Sequence, residues 1–156
     1  MLSQNLLTPT LKLGFIERFI LMSKVNLWIH VVWLTKLRKP YITKEFKWKL
    51  YEHIRNNAEE KGVHIDFING SEDHIHCLIN LKPTQSLSRV IQLLKGESSK
   101  WINDNKFIKE YFEWQHEYYA SSISKSEVQK VRNYIKNQEL HHREISTGSE
   151  IRDVFK

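Results

Sequence analysis

The sequence predicts an α+β fold, a ferredoxin-like split βαβ antiparallel sheet with helices on one face. Three observations predict it. Four short runs are dense in β-branched and aromatic residues, and three longer stretches repeat their apolar residues at helical spacing. The two kinds follow one another in the order β-α-β-β-α-β-α.

Residues 27–34, LWIHVVWL, form the first run and end at a charged turn of Lys36, Arg38, Lys39 and Pro40, the mark of a central strand. Thr43 is placed to cap the next element. There Phe46, Leu50, Ile54 and Ala58 recur at every fourth position as far as Gly62, which reads as an amphipathic helix with a glycine stop. Residues 63–68 make a second strand, and Gly70 with Ser71 a turn. Residues 74–81 alternate strongly enough to be a third strand, paired with the second as a hairpin. After Pro83, Ser86 can cap a second helix whose apolar line is Leu87, Val90, Ile91, Leu94, Trp101 and Ile102, with Arg89, Lys95 and Lys100 opposite. Residues 113–123 supply the fourth strand. Ser124 and Glu127 have capping-box spacing, and Val128, Val131 and Ile135 form the buried line of a third helix. Tyr134, Gln138 and His141 form a stripe beside that line.

The bulk properties bound the function. At 156 residues, 40% of them hydrophobic, the chain can bury a full core, and residues 22–156 are expected to be one domain. Residues 1–21 are expected to be an extension outside it: Lys12, Glu17 and Arg18 interrupt their apolar letters, so they form neither a membrane span nor a signal peptide. A net charge of +6 favours a polyanionic partner, nucleic acid above all. The single cysteine, Cys77, permits no internal disulfide and no cysteine-based zinc site, which fits the cytoplasm. Strand parity turns it inward as a small buried hydrophobe.

Two pairs of residues carry candidate chemistry. His74 and His76 flank Ile75 on a strand, so both imidazoles emerge on one face while Ile75 enters the core. Tyr134 and Gln138 are four apart on a helix and share a face. Each pair alone is unspecific. Two histidines on a sheet face are commonly hydrated surface residues, and a helical tyrosine commonly anchors to a core with its hydroxyl in water. Glu72 and Asp73 could be turn residues, partners that orient an imidazole, or neither.

As a set, however, the motifs HIHCLINL, SRVIQLLKGESSKWI, WQHEYYASSIS and VQKVRNYIKNQELHH, preceded by VNLWIHVVWLTKLRKPYIT, resemble the HUH single-tyrosine transposases. These are the TnpA-like insertion-sequence enzymes and their REP-associated relatives. The resemblance spans residues 24–142, in order and with matching gaps. It implies the HUH endonuclease fold and an enzyme that cleaves and rejoins single-stranded DNA through a covalent 5′-phosphotyrosine. By motif position, His74 and His76 are metal ligands, Gln138 is the third ligand and Tyr134 is the nucleophile. The implied cofactor is Mg2+ or Mn2+: nitrogen ligands tilt the preference to manganese, cellular abundance to magnesium. The implied partners are hairpin-containing single-stranded element ends and a second copy, in a homodimer with composite active sites. His141 is a candidate base and equally a solvent-facing histidine near a helix end.

Lys36, Arg38, Lys39, Arg89, Lys95 and Lys100 are the basic residues expected to contact DNA, giving affinity and salt sensitivity more than sequence choice. Trp48, Trp101, Trp114, Tyr118 and Tyr119 include candidate stacking platforms, most of them expected in the core. The chain departs from the family where Glu117, in place of a glycine, precedes Tyr118, and in a short tail after His142. A domesticated REP-associated tyrosine nuclease is the neighbouring alternative. The rival of another class is a catalytically silent ferredoxin-like DNA-binding module.

Overall fold

The computed structural model describes residues 25–138, so the extension expected at residues 1–21, the stripe residue His141 and the C-terminal tail lie outside the described residues. Strands β1 (Leu27–Thr35), β2 (His64–Gly70), β3 (His74–Leu81) and β4 (Trp114–Ile123) form one antiparallel sheet in the order β2-β3-β1-β4. Helix α1 (Lys47–Glu60) links β1 to β2, and α2 (Leu87–Asp104) links β3 to β4. Helix α3 (Val128–Lys136) follows β4. Because β3 is antiparallel to both β1 and β2 and lies between them, β1-α1-β2 is the predicted split βαβ unit.

Strand alternation sorts the residues of β3. Ile75, Cys77, Ile79 and Leu81 join Leu50, Ile54 and Ala58 of α1 and Val90, Ile91, Leu94 and Ile102 of α2 in the main core. The other parity carries His74, His76 and Leu78, and there Leu78 packs with Val128 and Ile135 of α3. Thus α1 and α2 share one face as expected, and α3 corrects the expectation by lying across the other. The reason is visible in β3, which is buried on both parities at every position except Asn80. Its second face also needs cover.

Local chemistry shapes the connections. Gly62 adopts φ +71°, and the N–H groups of Gly62 and Val63 bond the carbonyls of Glu59 and Ala58, closing α1 as a Schellman motif at the expected glycine. Gly70 is required by close approach, since a Cβ there would stand 2.1 Å from the His74 carbonyl oxygen. The capping box is not made: the Ser124 hydroxyl pairs with that of Ser126, residues 124–127 form a turn through Glu127 N–H to the Ser124 carbonyl, and α3 starts at Val128. Thr43 and Ser86 likewise start their helices through backbone carbonyls, with no side-chain cap on α1 or α2.

Between Trp33 and Thr35 the partner on β4 moves from Tyr118 to Trp114, so β4 bulges where Glu117 stands. Lys95 is spent on that bulge. Its ammonium donates to the carbonyls of Gln115 and His116, each at 2.7 Å, and of Glu117 at 3.3 Å.

Candidate active site

The site is built on the face of the sheet that α3 covers. Opposite His76 stand Val32 on β1 and Asn69 on β2, and opposite His74 stands Leu34. His30, paired with Leu78, is therefore the diagonal neighbour of His76 on the same face. The His74 and His76 rings lie 5.0 Å apart, and both residues are at most 2% exposed. These are not hydrated surface histidines.

Each imidazole is oriented through Nδ1. His74 Nδ1 lies 2.6 Å from the Asp73 carboxylate, which in turn accepts from the Arg38 guanidinium at 2.9–3.0 Å. Burial pushes the Asp73 carboxyl up, but the hydrogen bonds and charges of His74 and Arg38 outweigh it and hold the group below its usual range. His76 Nδ1 lies 3.0 Å from His30 Nε2, the two rings stacked at 5.2 Å. Burial lowers the His30 pKa to about 4, so that ring is neutral near pH 7. With Nδ1 engaged in both, Nε2 is the nitrogen that each ring would offer an ion.

Helix α3 is seated by two polar contacts. The register shift between Ile65 and Phe67 makes a bulge in β2. There Asp66 takes a two-pronged ion pair from Arg132, at 2.6 and 2.7 Å, while Phe67 packs under Val128 and Ile135. Further along, Asn69 Nδ2 donates to the carbonyls of Ile135 and Lys136 at 3.0 and 3.2 Å, holding the end of the helix beside His76. Tyr134 consequently lies edge-on to the imidazoles of His76 and His30, its ring centroid 5.7 and 6.0 Å from theirs.

Gln138, four residues beyond Tyr134, is fully buried, and neither atom of its amide has a hydrogen-bond partner among the described residues. An unsatisfied buried amide costs about 1–3 kcal/mol, so it calls for an absent partner. A divalent cation fits: an amide oxygen and two imidazole nitrogens are a donor set that Mn2+ or Mg2+ accepts. Among the described residues no three His, Cys, Asp or Glu side chains group to hold an ion.

The structure does not gather the six expected DNA-binding cations around this site. Arg38 reaches it through Asp73, and Lys36 and Lys39 share its turn but pair with Glu113 and Glu110. Arg89, Lys95 and Lys100 ride on α2, across the sheet, where Lys100 pairs with Asp104. Of the candidate platforms, Trp114 is in the core and Trp48 is exposed on α1. Tyr119 is half-exposed on the histidine face, opposite Val32. A cavity of about 520 Å³ between α2 and the β4 bulge contains no residue of the histidine face.

Sequence reasoning missed His30, Asn69 and the Asp66–Arg132 pair. The available signal for the first two was a lone polar letter, since His30 interrupts an apolar strand and Asn69 precedes a tight turn.

A family model described as "Transposase IS200 like" matches residues 23–138. The transposase for insertion sequence element IS200 of Salmonella typhimurium is 30% identical over 127 residues, covering 78% of this chain and 83% of that protein. The ISDra2 transposase TnpA of Deinococcus radiodurans is 22% identical over 114 residues, covering 70% and 81%. Among solved structures, one assigned as a transposase from Deinococcus radiodurans superposes with TM-score 0.61 at 22% identity, over 74% of this chain and 93% of that one. A REP-associated tyrosine transposase bound to a REP hairpin superposes with TM-score 0.57 at 18% identity, over 78% and 74%.

Proposed function

The chain belongs to the IS200-like transposase family, and on that premise we propose that it cleaves and rejoins single-stranded DNA through a covalent 5′-phosphotyrosine on Tyr134. One observation carries the reading. The Tyr134 ring lies edge-on to the buried His76, and the Gln138 amide, buried with no hydrogen-bond partner among the described residues, follows four residues later, just past the end of α3.

His74, His76 and Gln138 would hold Mg2+ or Mn2+, which when bound supplies Lewis-acid polarisation and orientation of the scissile phosphate. The Asp73 and His30 contacts keep the two imidazoles turned for that task. The Tyr134 oxygen then bonds to phosphorus as the bond from phosphorus to the 3′ oxygen breaks. The upstream strand leaves with a free 3′-hydroxyl, and the phosphate stays on the downstream 5′ end, joined to tyrosine. The phenol, with an ordinary pKa of about 10, gives up its proton in this step. Rejoining is the reverse displacement by a 3′-hydroxyl. Phosphotyrosine conserves the phosphodiester bond energy, so no nucleotide cofactor is required.

Hairpin-containing single-stranded DNA is the proposed partner, supported by the net charge of +6 and by the hairpin held by the solved relative. The proposed assembly is a homodimer, supported by the position of β4 at the sheet edge, where ten residues offer one side to a second copy. The proposed place of work is the cytoplasm, supported by a single cysteine, Cys77, which permits no internal disulfide, and among the described residues no helix is long and apolar enough to cross a membrane.

The test is incubation of the protein with 3′-labelled single-stranded flanks of its own genomic locus and Mn2+, followed by a denaturing gel. A labelled band at protein mass plus DNA, abolished by chelator, is the expected result. Tight DNA binding with no adduct at any flank would leave the silent binding module standing instead.

A further inference from the structure

We infer that His30 is a positioning residue for His76: it accepts the Nδ1 proton of that ring, sets its tautomer and so presents the Nε2 lone pair to the ion. The inference rests on the proposed reading of His74 and His76 as ligands.

The geometry starts from the register. Leu78 of β3 faces His30 of β1, and His76 faces Val32, so His30 and His76 are diagonal neighbours on one face of the two central strands. His30 Nε2 and His76 Nδ1 are 3.0 Å apart, with ring planes 20° from parallel. At that separation one nitrogen carries a proton and the other accepts it. Both residues are at most 2% exposed, so bulk water does not stand in for either partner. Of the two possible arrangements, only the one with the proton on His76 Nδ1 leaves Nε2 of the same ring as a lone-pair donor.

His74 shows the same device with a different partner. Its Nδ1 faces the Asp73 carboxylate, which as an ion can only accept, so His74 is fixed as the Nδ1–H tautomer. The pair of ligands is thus oriented by one carboxylate and one imidazole. The His30 ring also stands edge-on to Tyr134, tying the orientation of a ligand to the ring that carries the nucleophile.

Two variants separate orientation from packing. His30→Phe keeps a ring of similar size against His76 and removes the acceptor, whereas His30→Gln keeps an acceptor oxygen. Mn2+ binding to the full chain without DNA is read by the electron paramagnetic resonance signal of free Mn2+, alongside hairpin-DNA binding and thermal melting. His30→Phe is expected to weaken Mn2+ binding about 10–100-fold with hairpin binding unchanged, and His30→Gln to restore most of it. Wild-type Mn2+ affinity in a folded His30→Phe protein overturns the inference. If His30→Phe fails to fold, 15N spectra of histidine-labelled, metal-free wild type decide, because a protonated and an unprotonated ring nitrogen differ widely in shift. Protonated Nδ1 on His76 is expected, and protonated Nε2 overturns it. Failure of the underlying reading looks different: wild type would not bind Mn2+, or His76→Ala would bind it unchanged.

Discussion

At the residue scale, Tyr134 differs from phenylalanine by one oxygen, and its ring packs against His30 and His76 whichever is present. Tyr134→Phe should therefore abolish the covalent adduct while leaving hairpin binding at the wild-type level. An adduct that persists would move the nucleophile to an exposed phenol such as Tyr119 or Tyr111, which peptide mapping would identify. The buried His30 makes a second prediction, for the metal-free protein. Its folded pKa of about 4 lies below the ordinary 6.5, so between those values the unfolded chain binds a proton that the folded chain refuses. Stability should be level above pH 6.5 and fall as the pH drops toward 4, by roughly 3 kcal/mol in all. His53, whose pKa burial also lowers, adds to the same slope. Urea midpoints measured in chelator across that range check the sign, and His30→Gln should flatten the larger part. His74 and His76 were legible in the sequence because strand parity is a local property. His30 was not, because its meeting with His76 depends on the register of β1 against β3, which no local pattern encodes.

At the scale of elements, what periodicity and breakers report came through well. The third strand falls at residues 74–81 as expected, and Gly62 closes α1 with a left-handed residue. What tertiary packing decides did not come through. The side of the sheet taken by α3 follows from the second buried face of β3, and the use of Lys95 follows from the β4 bulge, so a basic letter on an exposed-looking helix face became an internal cap for backbone carbonyls. The β2-β3 hairpin links fold and site most tightly, since Ser71 N–H closes it on the His74 carbonyl and the same oxygen leaves no room for a side chain on Gly70. Gly70→Ala has to displace backbone, not the end of a flexible side chain. It should lose about 1–3 kcal/mol in urea unfolding and weaken Mn2+ binding together, because the atom it pushes belongs to His74, a proposed ligand. Loss of stability with Mn2+ affinity intact would show that the hairpin tip and the ligand position are independent.

At the scale of the whole molecule, the proposed dimer raises the question of which copy's tyrosine would serve which histidines. Within one chain α3 lies on its own sheet, yet it is nine residues long and reaches β4 through the turn at residues 124–127. Its anchors, Asp66, Asn69 and Leu78, all belong to β2 and β3. A partner's α3 would find the same anchors in an exchanged dimer, so the exchange keeps those contacts of the helix and gains whatever paired β4 edges contribute. The predicted outcome is a composite site. His76→Ala and Tyr134→Phe subunits, each inactive alone, should regain adduct formation when mixed under conditions of subunit exchange. Half of the dimers in an equal mixture are mixed, and each of these has one site with intact histidines and an intact tyrosine, so recovery should approach about a quarter of the wild-type level. If each chain serves itself, both sites of every mixed dimer stay broken. No recovery in verified mixed dimers, or a strictly monomeric chain in light scattering, would refute the shared site and leave the tyrosine with the histidines of its own chain.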